Sequence, residues 1–169
     1  MLLRNRAAKR IRQKELYDFA SAKYVGLFFV PQDEASTVHL KNFLHYLTQR
    51  GIKYFVLGYF DREDIPDNFL YLKNIDFITK KDLNFLFIPQ SLTVEKFIEE
   101  PFDMIINCTP ARYFALEYIL QMSIAKFKVG IVDKDKAGYD LMIDISKERT
   151  IEYFLKNLEI YLSNLRNPK

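Results

Sequence analysis

The sequence predicts an α/β fold: one three-layer, Rossmann-like domain. Its mostly parallel sheet should hold five to six strands, in the order 3-2-1-4-5 plus an edge strand, with helices on both faces. Two observations carry this expectation. Continuous apolar runs of strand length recur along the chain, as strands buried on both faces require. Helical stretches with one apolar face alternate with those runs, and capping or breaking residues bound them.

Residues 4–20 lack Gly and Pro, and a helix is expected there. Leu3, Ala7 and Ile11 make only a thin apolar line, so most of it should be solvated. Tyr24–Val30 is the first strand. Pro31-Gln32-Asp33-Glu34 follows, with Asp33 as N-cap and acidic residues at the positive end of the next helix. That helix shows Leu40, Phe43, Leu44 and Leu47 on one face and stops at Gly51. Lys53–Tyr59 is the second strand, completing a right-handed β-α-β unit.

The middle is less regular. Asp61–Asn68 reads as a loop, Phe77–Thr79 as a short third strand and Lys80–Asn84 as a turn. A short helix over 93–100 buries Val94, Phe97 and Ile98 and ends before Pro101. Phe102–Cys108 is the fourth strand. Pro110 opens a helix over 111–123, apolar on most sides and therefore deeply packed. Lys128–Val132 and Tyr139–Ile145 are further strands. Only six residues, Asp133–Gly138, join them, whereas a parallel crossover usually takes about a dozen or more, so the direction of the last strand stays open. A helix over 149–164 closes the domain. The organisation is thus a basic, partly helical arm over 1–23, a single domain over 24–165 and a tail over 166–169.

The apolar fraction of 49% and charged fraction of 28% are those of a globular domain. One cysteine excludes an internal disulfide and suits a reducing compartment. No apolar run reaches the roughly 18 residues of a membrane span, and no apolar core of a secretory signal follows the first cations. A cytoplasmic protein is expected. The net charge of +3 is split: residues 1–23 hold seven cations and two anions, so the rest of the chain is mildly acidic.

No catalytic set, cofactor or metal site is expected. A dinucleotide-binding turn needs glycines, so that backbone amides can approach a pyrophosphate; the turn at 31–34 has none and carries two negative charges. Weak ligand-binding candidates are Asp33, Asp61, Cys108, Thr109 and Arg112, all near strand carboxyl ends. A thiol at a helix start can become a nucleophile if a base such as His39 approaches, although a free Cys is more often simply buried. Asp33, Glu34, Asp61, Glu63 and Asp64 could hold a cation, but capping and solvation explain them as well, since nothing fixes ligand spacing. Arg112 beside a helix start could meet an anion. Asp140 and Asp144 read as charges that keep a sheet edge from pairing. In the arm, Arg4, Arg6, Lys9, Arg10, Arg12 and Lys14 are candidates for nucleic acid or an anionic surface, with membrane contact ranking lower for want of an apolar face.

The segments Gly58–Asp61, "DFITKKDLN" (76–84), "EPFDMIIN" (100–107), "AKFKVG" (125–130) and "YDLMIDI" (139–145) resemble a family of small bacterial proteins of unknown function. The resemblance covers nearly the whole chain and implies no activity. A weaker similarity, through "FDMIINC" and "AKFKVGIV", is to the N-terminal half of heptosyltransferase-type glycosyltransferases. It implies the fold rather than the chemistry. Those enzymes bind their sugar nucleotide mainly through a second Rossmann-like domain, and Asn107 stands where they would usually carry an acid. The function expected is a non-catalytic binding or adaptor protein contacting a partner, protein or RNA, through its basic arm over residues 1–23. The alternatives are a small enzyme or anionic-ligand-binding domain using the strand-end crevice, and RNA or ribosome association through the arm.

Overall fold

The computed structural model describes residues 11–133 and 137–165. Six strands form one sheet, β1 (Tyr24–Phe29), β2 (Lys53–Tyr59), β3 (Ile75–Ile78), β4 (Met104–Asn107), β5 (Phe127–Ile131) and β6 (Leu141–Ile143), in the order β3-β2-β1-β4-β5-β6. All the pairings are parallel. The sheet is covered by α1 (Glu34–Gln49) and α4 (Ile151–Asn164) on one face and by α2 (Leu92–Glu99) and α3 (Phe114–Met122) on the other. The strand alternation sorts the core accordingly. Val25, Leu27 and Phe29 of β1 pack under α1 and α4, whereas Phe28 packs under α2 against Phe97.

The three-layer reading and the strand order therefore hold. The open direction of β6 resolves as parallel. A three-residue strand rises only about 10 Å, and the nine residues between Ile131 and Leu141 can span up to about 30 Å, so a loop can return without a crossover helix. Asp33 caps α1 as expected, accepting from the Ser36 amide at 2.6 Å, and Gly51 ends it with φ +70.

Two expectations about helices need correction. Residues 11–18 form no helix, and residues 19–21 make a turn; the part of the expected helix before residue 11 lies outside the described residues. Residues 11–23 instead cross the amino ends of the strands as a strap. Arg12 and Lys14 pair with Asp140 before β6, the Glu15 amide donates to the Lys126 carbonyl before β5 at 3.2 Å, and the Lys23 amide donates to Asp103 before β4 at 2.9 Å. Partners spread along a sheet edge pull the chain out of a helix. The helix expected from 111 begins only at Phe114, and Pro110 precedes it. Asn107 Oδ1 accepts from both the Thr109 amide (3.0 Å) and hydroxyl (2.6 Å), which turns the chain first.

Candidate functional site at the carboxyl edge

The chain crosses the carboxyl ends of the strands in loops, and these build two clefts. The larger, of about 590 Å³, lies on the α1 side between the β1–α1 turn and the loop after β2, with Asp33, Lys41, Phe60 and Phe69 in its walls. The smaller, of about 230 Å³, lies on the α2–α3 side and contains Tyr59, Asp61, Phe87, Arg112, Tyr113 and Phe114. It joins the end of β2 to the segment after β4, next to the point where strand order reverses, which is where open α/β sheets receive ligands.

Tyr59 and Tyr113 meet edge to face at 5.5 Å and form the floor of the smaller cleft. The Tyr59 hydroxyl donates to Asp61 Oδ1 at 2.9 Å, and Lys80 Nζ lies 3.3 Å from the same oxygen. Burial pushes both tyrosines above the usual phenol range, and the Asp61 charge adds to it. They are therefore neutral hydrogen-bonding walls at neutral pH. Asp61 and Arg112 are the two sequence candidates that the fold brings into one cleft; Asp33 lines the other cleft as a helix cap.

Cys108 and Thr109 line neither cleft: they are 2% and 1% exposed. Burial pushes the Cys108 thiol up, the reverse of what a nucleophile needs. His39, the base considered for it, pairs instead with Glu152 of α4 at 3.4 Å. A thiol-specific reagent such as Ellman's should leave the native protein unmodified for minutes and react with about one thiol once it is unfolded in guanidinium. Fast labelling of the native protein would contradict this burial. The acidic candidates are likewise dispersed: Asp64 pairs with Arg62 at 2.9 Å, Asp61 with Lys80 and Asp33 with its helix. No group of three or more metal-ligating side chains converges among the described residues.

The Arg12 side chain is 12% exposed and pairs with Asp140, and Lys14 joins the same carboxylate at 3.3 Å. Asp140, directly before the edge strand β6, is held below the usual carboxylate range, against the effect of burial, by Arg12 and by the Lys128 amide, which donates to it at 2.9 Å. Arg4, Arg6, Lys9 and Arg10 lie outside the described residues.

Three features escape sequence reasoning. Lys128, on a strand that reads as apolar, buries its amine against the Leu120 and Ser123 carbonyls at the end of α3. Tyr139 reaches over Gly130 to accept from Asn107 Nδ2 (2.6 Å) and donate to Glu117 Oε1 (3.0 Å), joining the ends of β4, α3 and the β6 approach. The third is a hairpin-like turn over 83–89, closed by an antiparallel bridge between Leu83 and Pro89. Asn84 organises it: its side-chain oxygen accepts from the Leu86 (2.9 Å) and Ile88 (3.1 Å) amides. The turn carries Phe85, Leu86 and Phe87 into solvent at 88%, 48% and 68% exposure, with Phe87 at φ +59. The signal available for it was a run of four apolar residues, Phe85 to Ile88, between Asn84 and Pro89, both turn residues.

Among the described residues no helix is long and apolar enough to cross a membrane. No curated protein and no solved structure matches the chain. A family model does, over residues 2–165, and the chain thus belongs to a family of unknown function, DUF6913.

Proposed function

We propose that this is a non-catalytic binding protein that captures a protein partner at the carboxyl edge of its sheet. The observation that carries the reading is the Phe85-Leu86-Phe87 turn, apolar, solvent-exposed and held in one shape by Asn84. Exposed apolar groups set side by side mark interaction surfaces. A turn already locked in its shape loses little entropy when it docks. Phe87 of the turn also lines the cleft that holds Arg112 and Tyr113, residue types that dominate interface energetics. The partner would cover the turn and insert a side chain between the tyrosines and Arg112.

The N-terminal cations Arg4, Arg6, Lys9 and Arg10 belong to the same reading as a second contact, suited to an acidic partner surface. A single, buried cysteine supports a reducing, cytoplasmic setting for it.

The test is comparative affinity purification from native cells, quantified by mass spectrometry, with the wild-type chain and Phe85→Ser/Leu86→Ser as baits. Phe85 is almost fully solvated and Leu86 half-exposed, so the variant should lose little of its melting temperature. A partner recovered with the wild type should fall at least tenfold with the variant. Equal recoveries would remove the carboxyl edge from the reading.

A further inference from the structure

The smaller carboxyl-edge cleft joins two kinds of surface. Leu83 and Phe87 of the turn, with Phe114 of α3, give it apolar sides, and Phe87 and Phe114 are 68% and 45% exposed. Arg112 is its cation, solvent-exposed and without an ion pair among the described residues. The carboxylate in the cleft, Asp61, is already engaged: Lys80 Nζ lies 3.3 Å from it and the Tyr59 hydroxyl donates to it at 2.9 Å. The charge left to a ligand is therefore positive. The Tyr113 hydroxyl, kept protonated by burial and by the Asp61 charge, is a second donor at the floor.

Size narrows the occupant. At about 230 Å³ the cleft is smaller than the roughly 300–1,000 Å³ of ordinary small-molecule sites, and it suits one residue of a larger partner. A cation alone would serve any anion, and apolar walls alone any apolar side chain. The two together, in a space for one residue, call for an apolar side chain and a carboxylate on the same residue. In a protein that combination occurs at the last residue, whose α-carboxylate sits two bonds from its Cβ. An internal Asp or Glu brings the charge but spends its side chain on it, leaving the apolar walls unfilled.

We propose that the cleft captures the C-terminal residue of a protein partner, with an apolar side chain against Leu83, Phe87 and Phe114 and the terminal carboxylate at Arg112. Chain-end carboxylates are a recurring handle in peptide recognition. The inference rests on the carboxyl-edge reading above and names the group by which that partner docks. The exposed turn at 85–87 would then meet the residues that precede the chain end.

The probes are N-acetylphenylalanine, its amide, N-acetylglycine and the α-amide of N-acetylglutamate. Each is titrated into the full, nitrogen-labelled chain and followed by amide NMR. N-acetylphenylalanine, with about 15 non-hydrogen atoms, should bind with Kd on the order of 1 mM and shift the amides of Phe87, Arg112 and Tyr113. The other three lack the charge, the side chain or their union on one residue, and each should bind about tenfold more weakly. Arg112→Ala should bring the acid down to the level of its amide; the side chain is exposed, and melting checks the fold. If that variant does not fold, the comparison of acid with amide on the wild type carries the test. Acid and amide binding alike, the glutamate α-amide matching the acid, or an acid that leaves those amides unshifted each overturns the proposal. Such a result beside a partner lost with Phe85→Ser/Leu86→Ser overturns only the chain-end inference. Equal partner recoveries overturn the carboxyl-edge reading itself.

Discussion

Gly130→Ala lowers the unfolding free energy by roughly 3 kcal/mol, combining overpacking with lost buried hydrogen bonds. A Cβ at Gly130 would stand 2.3 Å from Cε1 of Tyr139, closer than any real contact, so the ring must move. Tyr139 has little freedom to yield, because its hydroxyl bridges Asn107 and Glu117, which are 1% and 5% exposed. Moving the ring removes a partner from two buried polar groups at once. Guanidinium unfolding followed by circular dichroism measures the change. Gly26→Ala is the control: its nearest neighbours, all side-chain carbons, stand at 3.0 Å and can give slightly. An equal loss at both positions would show that the polar bridge adds nothing to the cost.

The difference in stability between the wild type and Lys128→Met shifts by about 2 kcal/mol in favour of the wild type between pH 7 and pH 9. Burial, with the positive charges of Arg12 and Lys14, pulls the Lys128 ammonium down from 10.5 to about 7, and Asp140 only partly opposes this. Over that window the folded chain holds a neutral amine, whereas the unfolded chain still binds the proton. The unfolded state therefore carries more protons, and stability attributable to this group rises with pH up to the unfolded value. A neutral amine has two N–H donors, the number needed for the Leu120 and Ser123 carbonyls. Above about pH 9 the buried Cys108 thiol and the raised tyrosines act the other way: their stabilisation is lost as the unfolded groups ionise. Comparing the two proteins at each pH cancels those contributions. A difference that stays constant from pH 7 to 9 would mean that Lys128 is charged in the fold.

Much of the architecture was legible because it depends on local spacing. The apolar runs at 24–30 and 102–108 read as strands buried on both faces, and Val25 and Ile105 are indeed wholly buried. The α1 face and its Asp33 cap were equally plain, since a capping side chain needs only an amide three residues away. The candidate site was far less legible. Asp61 and Arg112 share a cleft because β2 and β4 both flank β1, a matter of strand order. The exposed turn at 85–87 runs against the rule that apolar residues go inside, and Asn84 holds it there through amides two and four residues on.

Sequence alone determined the alternation of strands and helices, the parallel three-layer core and the absence of a glycine-rich phosphate turn, because side-chain period, caps and turn residues act over a few neighbours. Tertiary structure alone decided where the charges went. Arg12 finds Asp140 across 128 positions, Lys128 buries an amine in an apolar strand, and Cys108 lies sealed in the core. A charge's partner is set by which strand ends and helix ends the sheet brings together, and no local pattern encodes that distance.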